Sequence, residues 1–200
     1  MKIVILATEA SGDFLGSELI KTLMKNNKFE IQGVGGQLMI DQGLESWVSI
    51  NEFNAIGIFE VLIRIFKFIN LFKIIVKRVK KYNPDILITI DSPSFSYRIV
   101  QKLKNSKQDI KFFHYVAPTV WAWKSYRAKI FAKIYDKMFT LFYFEPKYFL
   151  KHGLKSKFVG HQIFFNKSRV LRRGKIISFF PGSRTVEIKN NMKKLKQIIL

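Results

Sequence analysis

Ile3-Val4-Ile5-Leu6-Ala7 runs into Thr8-Glu9-Ala10-Ser11-Gly12-Asp13, after which Phe14, Leu15, Leu19, Ile20 and Leu23 recur at helical spacing as far as Asn26-Asn27. Glu30 to Val34 then follows, closed by Gly35-Gly36. A short continuous apolar run that ends in a polar turn suits a strand covered on both faces. Ser11-Gly12-Asp13 supplies the turn and cap of the helix after it. Strand, helix and second strand together make a βαβ unit, the seed of a doubly wound parallel sheet of Rossmann-like α/β type.

Downstream, the same alternation continues. From Gly57 to Lys81 the apolar residues Phe59, Leu62, Ile63, Phe66, Ile69, Ile74 and Val76 alternate with Arg64, Lys67, Lys73, Lys77 and Arg78. This predicts one or two amphipathic helices with a basic polar face, which pack on the sheet or lie on a membrane. Asn83-Pro84-Asp85 breaks the pattern, and Ile86-Leu87-Ile88-Thr89-Ile90 is the clearest strand of the chain, delivering Asp91 at its carboxyl end. Further strands are predicted at Lys111–Val116 and Met138–Phe142, with a helix near Ser125–Tyr135. The basic stretch 167–175 reads as a linker. A last βα unit takes a strand from Lys175 to Phe180, the turn Pro181-Gly182-Ser183-Arg184 and a helix from about Val186 onward. The predicted organisation is therefore an α/β domain over 1–166, a linker over 167–175, and the first βα unit of an incomplete second domain over 176–200.

The 200 residues carry 35 Lys and Arg against 14 Asp and Glu, a net charge of +21. Residues 1–123 hold 16 basic and 11 acidic side chains, whereas residues 124–200 hold 19 and 3, so the second portion meets any anion. Such a balance fits attraction to phosphates or to an anionic membrane, and it also fits a codon bias that paints any surface basic. The 48% hydrophobic and 24% charged content excludes wholesale disorder. The absence of cysteine excludes disulfides, thiolate catalysis and Cys-ligated metal. The apolar run after Met1-Lys2 stops at Glu9, too short for a secretory signal, and the longest uncharged apolar stretch, Phe112–Trp123, falls short of the roughly 20 residues of a membrane span. A cytoplasmic location is expected. Charge and 15% aromatics alone, without a recognised motif, do not make a nucleic-acid-binding protein.

Ligands of parallel α/β sheets sit outside the carboxyl ends of the strands. Three segments fall there. In Thr8–Asp13, Gly12 admits close backbone approach and Glu9, Ser11 and Asp13 offer hydrogen bonds, while Ser11 or Asp13 also reads as a plain helix cap. In Asp91-Ser92-Pro93-Ser94-Phe95, the aspartate reads as a general base for a hydroxyl or as a turn residue. In Gly182-Ser183-Arg184, the guanidinium suits a phosphate or diphosphate, or is a solvated cation beside a cap. Gly33-Val34-Gly35-Gly36 has the wrong spacing for a dinucleotide fingerprint, and His114, His152 and His161 show no metal-ligand spacing. No metal or cofactor is expected.

Taken in order, the sequence resembles lipid-A-disaccharide synthase along essentially its whole length. The resemblance is carried by Glu9–Asp13, Gly33–Gly36, Gly57–Leu62, Asp91-Ser92-Pro93, the tract His114-Tyr115-Val116-Ala117-Pro118-Thr119-Val120-Trp121-Ala122-Trp123, Phe144-Glu145, Phe158–His161 and Pro181–Arg184. It implies the N-terminal, acceptor-side half of a two-domain glycosyltransferase-B-type fold. It further implies condensation of UDP-2,3-diacylglucosamine with 2,3-diacylglucosamine 1-phosphate, with inversion, to give the β-1,6-linked lipid A disaccharide 1-phosphate and UDP. Asp91 then matches the essential aspartate, and Arg184 would steady the charge growing on UDP. Glu9, Ser11 and Gly12 would line the acceptor side, and Gly182 and Ser183 belong to the arginine's turn. Peripheral association with the anionic cytoplasmic face of the inner membrane, and completion by a second polypeptide or another copy of the chain, also follow, as does the alternative of an inactive or partner-dependent lipid-binding module. Thr8 stands where the family has glycine, Ser94 and Ser96 where aspartate and asparagine follow the essential aspartate, and Gln162 where proline is expected.

Overall fold

The apolar runs become seven strands: β1 (Lys2–Ala7), β2 (Glu30–Gly35), β3 (Glu45–Ser49), β4 (Ile86–Ile90), β5 (Lys111–Tyr115), β6 (Lys137–Thr140) and β7 (Lys155–Phe158). Helices are α1 (Ala10–Met24), α2 (Gln37–Asp41), α3 (Val61–Tyr82), α4 (Pro93–Lys104), α5 (Arg127–Ile134), α6 (Pro146–Leu150) and α7 (Thr185–Ile199). The computed structural model describes residues 1–25, 28–53, 61–106, 108–164, 177–182 and 185–199. It divides into two compact units, Met1–Phe165 and Asn166–Leu200.

In the first unit the strands form one sheet in the order β3-β2-β1-β4-β5-β6-β7, and every pairing is parallel. The chain leaves β1 toward β2 on one side and β4 lies on the other, so the order reverses between β1 and β4. That reversal makes a crevice at the carboxyl ends of these two strands. The doubly wound Rossmann-like sheet predicted from the opening residues is present.

Alternation along each strand sorts the core into two layers. Ile3, Ile5, Ile88 and Ile90 pack with Leu15, Ile20 and Met39 of α1 and α2. Val4, Leu6 and Leu87 pack with residues of α3 to α6, among them Ile75, Ile99, Phe131 and Phe149. Helix α3 packs on the sheet through its later turns. Leu71, Ile75, Val76 and Val79 are buried core, whereas Ile65, Phe66 and Ile69 near its start are exposed. The helix ends where Asn83 turns left-handed at φ 49° ahead of Pro84.

Several elements differ from the sequence reading. The strands β3 and β7, the helix α4 and the short helices α2 and α6 were not predicted; β3 and β7 carry the mixed sequences ESWVS and KSKF at the two sheet edges. The strand expected at Lys175–Phe180 does not form over residues 177–180, and 175–176 lie outside the described residues, as does the linker 167–175. In the second unit α7 carries the predicted helix, and the side-chain amide of Asn191 donates to the Pro181 carbonyl at 2.8 Å.

A buried polar cluster crosses the layer under α5. Thr89 Oγ1 lies 2.7 Å from His114 Nδ1 and 3.1 Å from the Tyr135 hydroxyl. All three residues are buried, and burial pushes the His114 imidazole down to about 3. The folded chain therefore holds His114 neutral while the unfolded chain protonates near the ordinary value of about 6.5. Stability from this group is present above that value and is lost as pH falls toward 3. Lowering pH from 7 to 5 is expected to cost about 2 kcal/mol through His114 alone. Urea midpoints at the two pH values check this: the decline should be smaller by that amount in His114→Gln, and an equal decline in both proteins would place its cause elsewhere.

Candidate active site

The crevice between β1 and β4 gathers four side chains from two segments 83 residues apart. Thr8 Oγ1 donates to Ser92 Oγ at 2.7 Å, and Ser92 Oγ donates onward to Glu9 Oε1 at 2.9 Å. The Ser92 N–H donates to Asp91 Oδ1 at 2.8 Å, and the Ser96 hydroxyl donates to the Asp91 carbonyl at 2.9 Å. Asp91 is tied to the neighbouring strand as well, its N–H donating to the Tyr115 carbonyl at 3.0 Å. The carboxylate is thus held by its own turn and is half-buried.

Backbone strain marks the same place. Asp91 and Ser92 have φ of 54° and 44°, and Val116, at the end of β5, has φ 74°. A left-handed conformation costs a non-glycine residue about 1–3 kcal/mol and is rarest for β-branched ones. Such strain persists where the surroundings over-determine the turn. Here Ser92 is the N-cap of α4 yet spends its hydroxyl on Glu9 and Thr8 rather than on the helix.

Burial is the main cause that raises the affinity of Asp91 for a proton above that of an ordinary carboxylate, and the Glu9 charge adds to it, against the Ser92 N–H. A carboxylate shifted this way, at a strand end in a cleft, has the properties of a general base.

The glycine and aspartate of the first turn each have a packing role. Gly12 is buried and faces the sheet: a Cβ there would lie 3.2 Å from the Ala7 Cβ and 3.6 Å from the Ile90 carbonyl. It lets α1 close on β1 and β4, which brings Glu9 to Ser92. Asp13 is neither a cap of α1 nor open to the crevice. Its Oδ1 accepts the N–H groups of Gly36 and Met39 at 2.8 and 3.0 Å and its Oδ2 that of Leu38 at 3.2 Å, so it caps α2. A Cβ at Gly36 would collide with the Asp13 carboxylate, which accounts for the glycine at that turn. Ser11 is exposed in the first turn of α1.

A family model of lipid-A-disaccharide synthetase matches residues 3–200. The chain belongs to that family. It is 41% identical to the lipid-A-disaccharide synthase of Rickettsia bellii strain OSU 85-389 over 199 residues, 94% of this chain and 52% of the relative. The synthase of Rickettsia typhi is 42% identical over 163 residues, 81% of this chain and 43% of the relative, and that of Wigglesworthia glossinidia brevipalpis is 37% identical over 204 residues, 95% and 52%. The chain spans about half the length of the curated relatives it matches. A solved structure of a glycosyltransferase from Rickettsia africae ESF-5 matches with a TM-score of 0.49 at 19% identity, covering 80% of this chain and 42% of that one.

Where this member of the lipid-A-disaccharide synthetase family departs from the family pattern, the replaced side chains still hold the turn: Thr8 and Ser96 are the donors to Ser92 and to the Asp91 carbonyl. Ser94 accepts a hydrogen bond from the Arg127 guanidinium at 3.2 Å. Arg127 is a cation at the Ser94 hydroxyl that the sequence reading missed, because only the packing of α5 on α4 brings it there. The tract from His114 in β5 to Trp123 keeps His114 and Val120 buried and leaves Trp121 and Trp123 exposed, with Trp121 set edge-on against Phe144 at 5.4 Å. Glu145 is buried below them and accepts the N–H groups of Leu141 and Phe142 at 3.1 and 3.0 Å. Gly182 lies in the second unit at φ 114°. Ser183 and Arg184 lie outside the described residues, as do 57–60 of the Gly57–Leu62 segment. Among the described residues no group of acids and histidines can hold a metal ion, and no helix is long and apolar enough to cross a membrane.

Proposed function

We propose that this chain is the acceptor-side half of a glycosyltransferase that condenses UDP-2,3-diacylglucosamine with 2,3-diacylglucosamine 1-phosphate. Asp91 takes the proton of the acceptor's 6-hydroxyl as that oxygen bonds to the donor's anomeric carbon. The bond from that carbon to UDP breaks on the opposite side. A single displacement inverts the centre, leaving the β-1,6-linked disaccharide 1-phosphate, UDP and a protonated Asp91. Ser92 holds the base, and Glu9, Ser11 and Gly12 line the acceptor side.

The observation that carries this reading is the Asp91 carboxylate, fixed in a strained turn at the switch point of the sheet and biased toward proton uptake. Gly182, Ser183 and Arg184 are assigned to the leaving diphosphate on the family pattern. Residues 1–166 would form the acceptor-side domain and 176–200 would open the nucleotide-sugar domain, completed by a second polypeptide or another copy. Attachment to the anionic cytoplasmic face of the inner membrane would use the exposed Ile65 and Phe66 with the basic surface. Nucleic acid has no place in this reading.

Calorimetric titration with 2,3-diacylglucosamine 1-phosphate in neutral detergent micelles tests the acceptor-side assignment. Saturable binding by the folded chain is expected, and its absence contradicts the assignment.

A further inference from the structure

Helices α3 and α4 diverge to leave a groove of about 1110 Å³. Small-molecule sites run to roughly 300–1,000 Å³, so this one has room for a ligand of lipid size. Its floor is apolar, with Ile69 and Phe72 from α3 and Phe95 from α4. Phe95 is locked edge-on against Phe53 at 5.4 Å and Phe68 at 6.1 Å, so the floor is rigid at the end nearest the active-site turn.

Three cations stand on the rim: Lys73 on α3, and Arg98 and Lys102 on α4. Among the described residues none of them pairs with a carboxylate, and none of the described residues that line the groove is acidic. An apolar floor beneath unpaired cations is complementary to one kind of molecule, an acyl chain carrying an anionic head. A free sugar phosphate would leave the floor unused, and a bilayer surface presents no single chain to a concave slot.

The groove also runs into the catalytic turn. Ser94, three residues after Asp91, lines it, and Arg98 and Lys102 continue the same face at four-residue spacing. Arg98 is therefore about 6 Å along the helix axis from Ser94. In a hexose the C6 hydroxymethyl and the C1 substituent hang from the two carbons that flank the ring oxygen, so one sugar ring joins a group at the turn to a group on the helix.

We propose that the α3–α4 groove is the acyl-chain subsite of the acceptor, with the 1-phosphate on Arg98 and Lys102 and the sugar's free hydroxyl turned to Asp91. The assignment rests on the acceptor reading above and adds where that lipid lies.

Titrations of 2,3-diacylglucosamine 1-phosphate and of 2,3-diacylglucosamine, each in neutral detergent micelles, test it. The double variant Arg98→Gln, Lys102→Gln should weaken the phosphorylated lipid about tenfold and leave the unphosphorylated one unchanged. Gln101→Trp, which puts bulk into the groove from an exposed position, should weaken both about tenfold while binding to phosphatidylglycerol vesicles stays within twofold. Binding of the phosphorylated lipid that neither variant changes overturns the groove and leaves the acceptor reading intact. A loss confined to vesicles overturns it also, by assigning the cations to a membrane surface. No saturable lipid binding by the wild-type chain overturns both.

Discussion

Asp13→Ala should destabilise the chain by about 3 kcal/mol or more, since it strands three backbone donors at roughly 1–3 kcal/mol each. The carboxylate accepts the N–H groups of Gly36, Leu38 and Met39, and Asp13 is buried, so water has little access to replace it. Against a total of about 5–15 kcal/mol for a typical domain, that is a large fraction. In urea the midpoint should fall by about 1 M or more. Asp13→Asn should fall less, because it keeps Oδ1 for Gly36 and Met39 and loses only the acceptor for Leu38. Equal midpoints for Asp13→Ala and wild type would mean that the α2 turn holds without its cap.

Asp91→Asn should lower the rate of transfer about 10²–10⁴-fold, the usual contribution of a general base. The assay is UDP release by a chimera in which this chain replaces the matched segment of the Rickettsia bellii relative. The base works ionised, and burial raises its proton affinity, so kcat/KM should rise with pH through an acid limb set higher than an ordinary carboxylate would give. Asp91→Asn should lose that limb. It should not lose stability. A carboxyl whose proton affinity is raised by folding stabilises the fold only at pH low enough to protonate it, and that contribution disappears as pH rises through its folded value. At neutral pH the amide is therefore expected to be as stable as wild type or slightly more so. A variant that loses activity by unfolding would show the opposite.

The sequence made the centre of the sheet legible because Ile3–Ala7 and Ile86–Ile90 are unbroken apolar runs, and runs of that kind survive tertiary context. It also placed Asp91 correctly at the end of β4. The edges were illegible for a physical reason: Glu45–Ser49 and Lys155–Phe158 are half-exposed and mixed in polarity, so neither period stands out. Asp13 reads in sequence as a hydrogen-bonding group for a ligand or as a local cap, yet its partners lie 23–26 residues on, which only the packing of α1 on α2 decides. The part Gly12 plays in closing α1 on the sheet is likewise set by packing across the layer and not by its own turn. Arg127, Arg98 and Lys102 are anonymous in a chain of 35 basic residues, and become distinct once the helices set them beside Ser94 or over the groove.

The most direct test of the account is acceptor-dependent UDP release from UDP-2,3-diacylglucosamine by the chimera carrying this chain, measured beside the same chimera with Asp91→Asn. Release that requires 2,3-diacylglucosamine 1-phosphate and falls at least 100-fold in Asp91→Asn is the predicted result. Release undiminished by Asp91→Asn, or none from a folded chimera when the relative itself turns over, would contradict it.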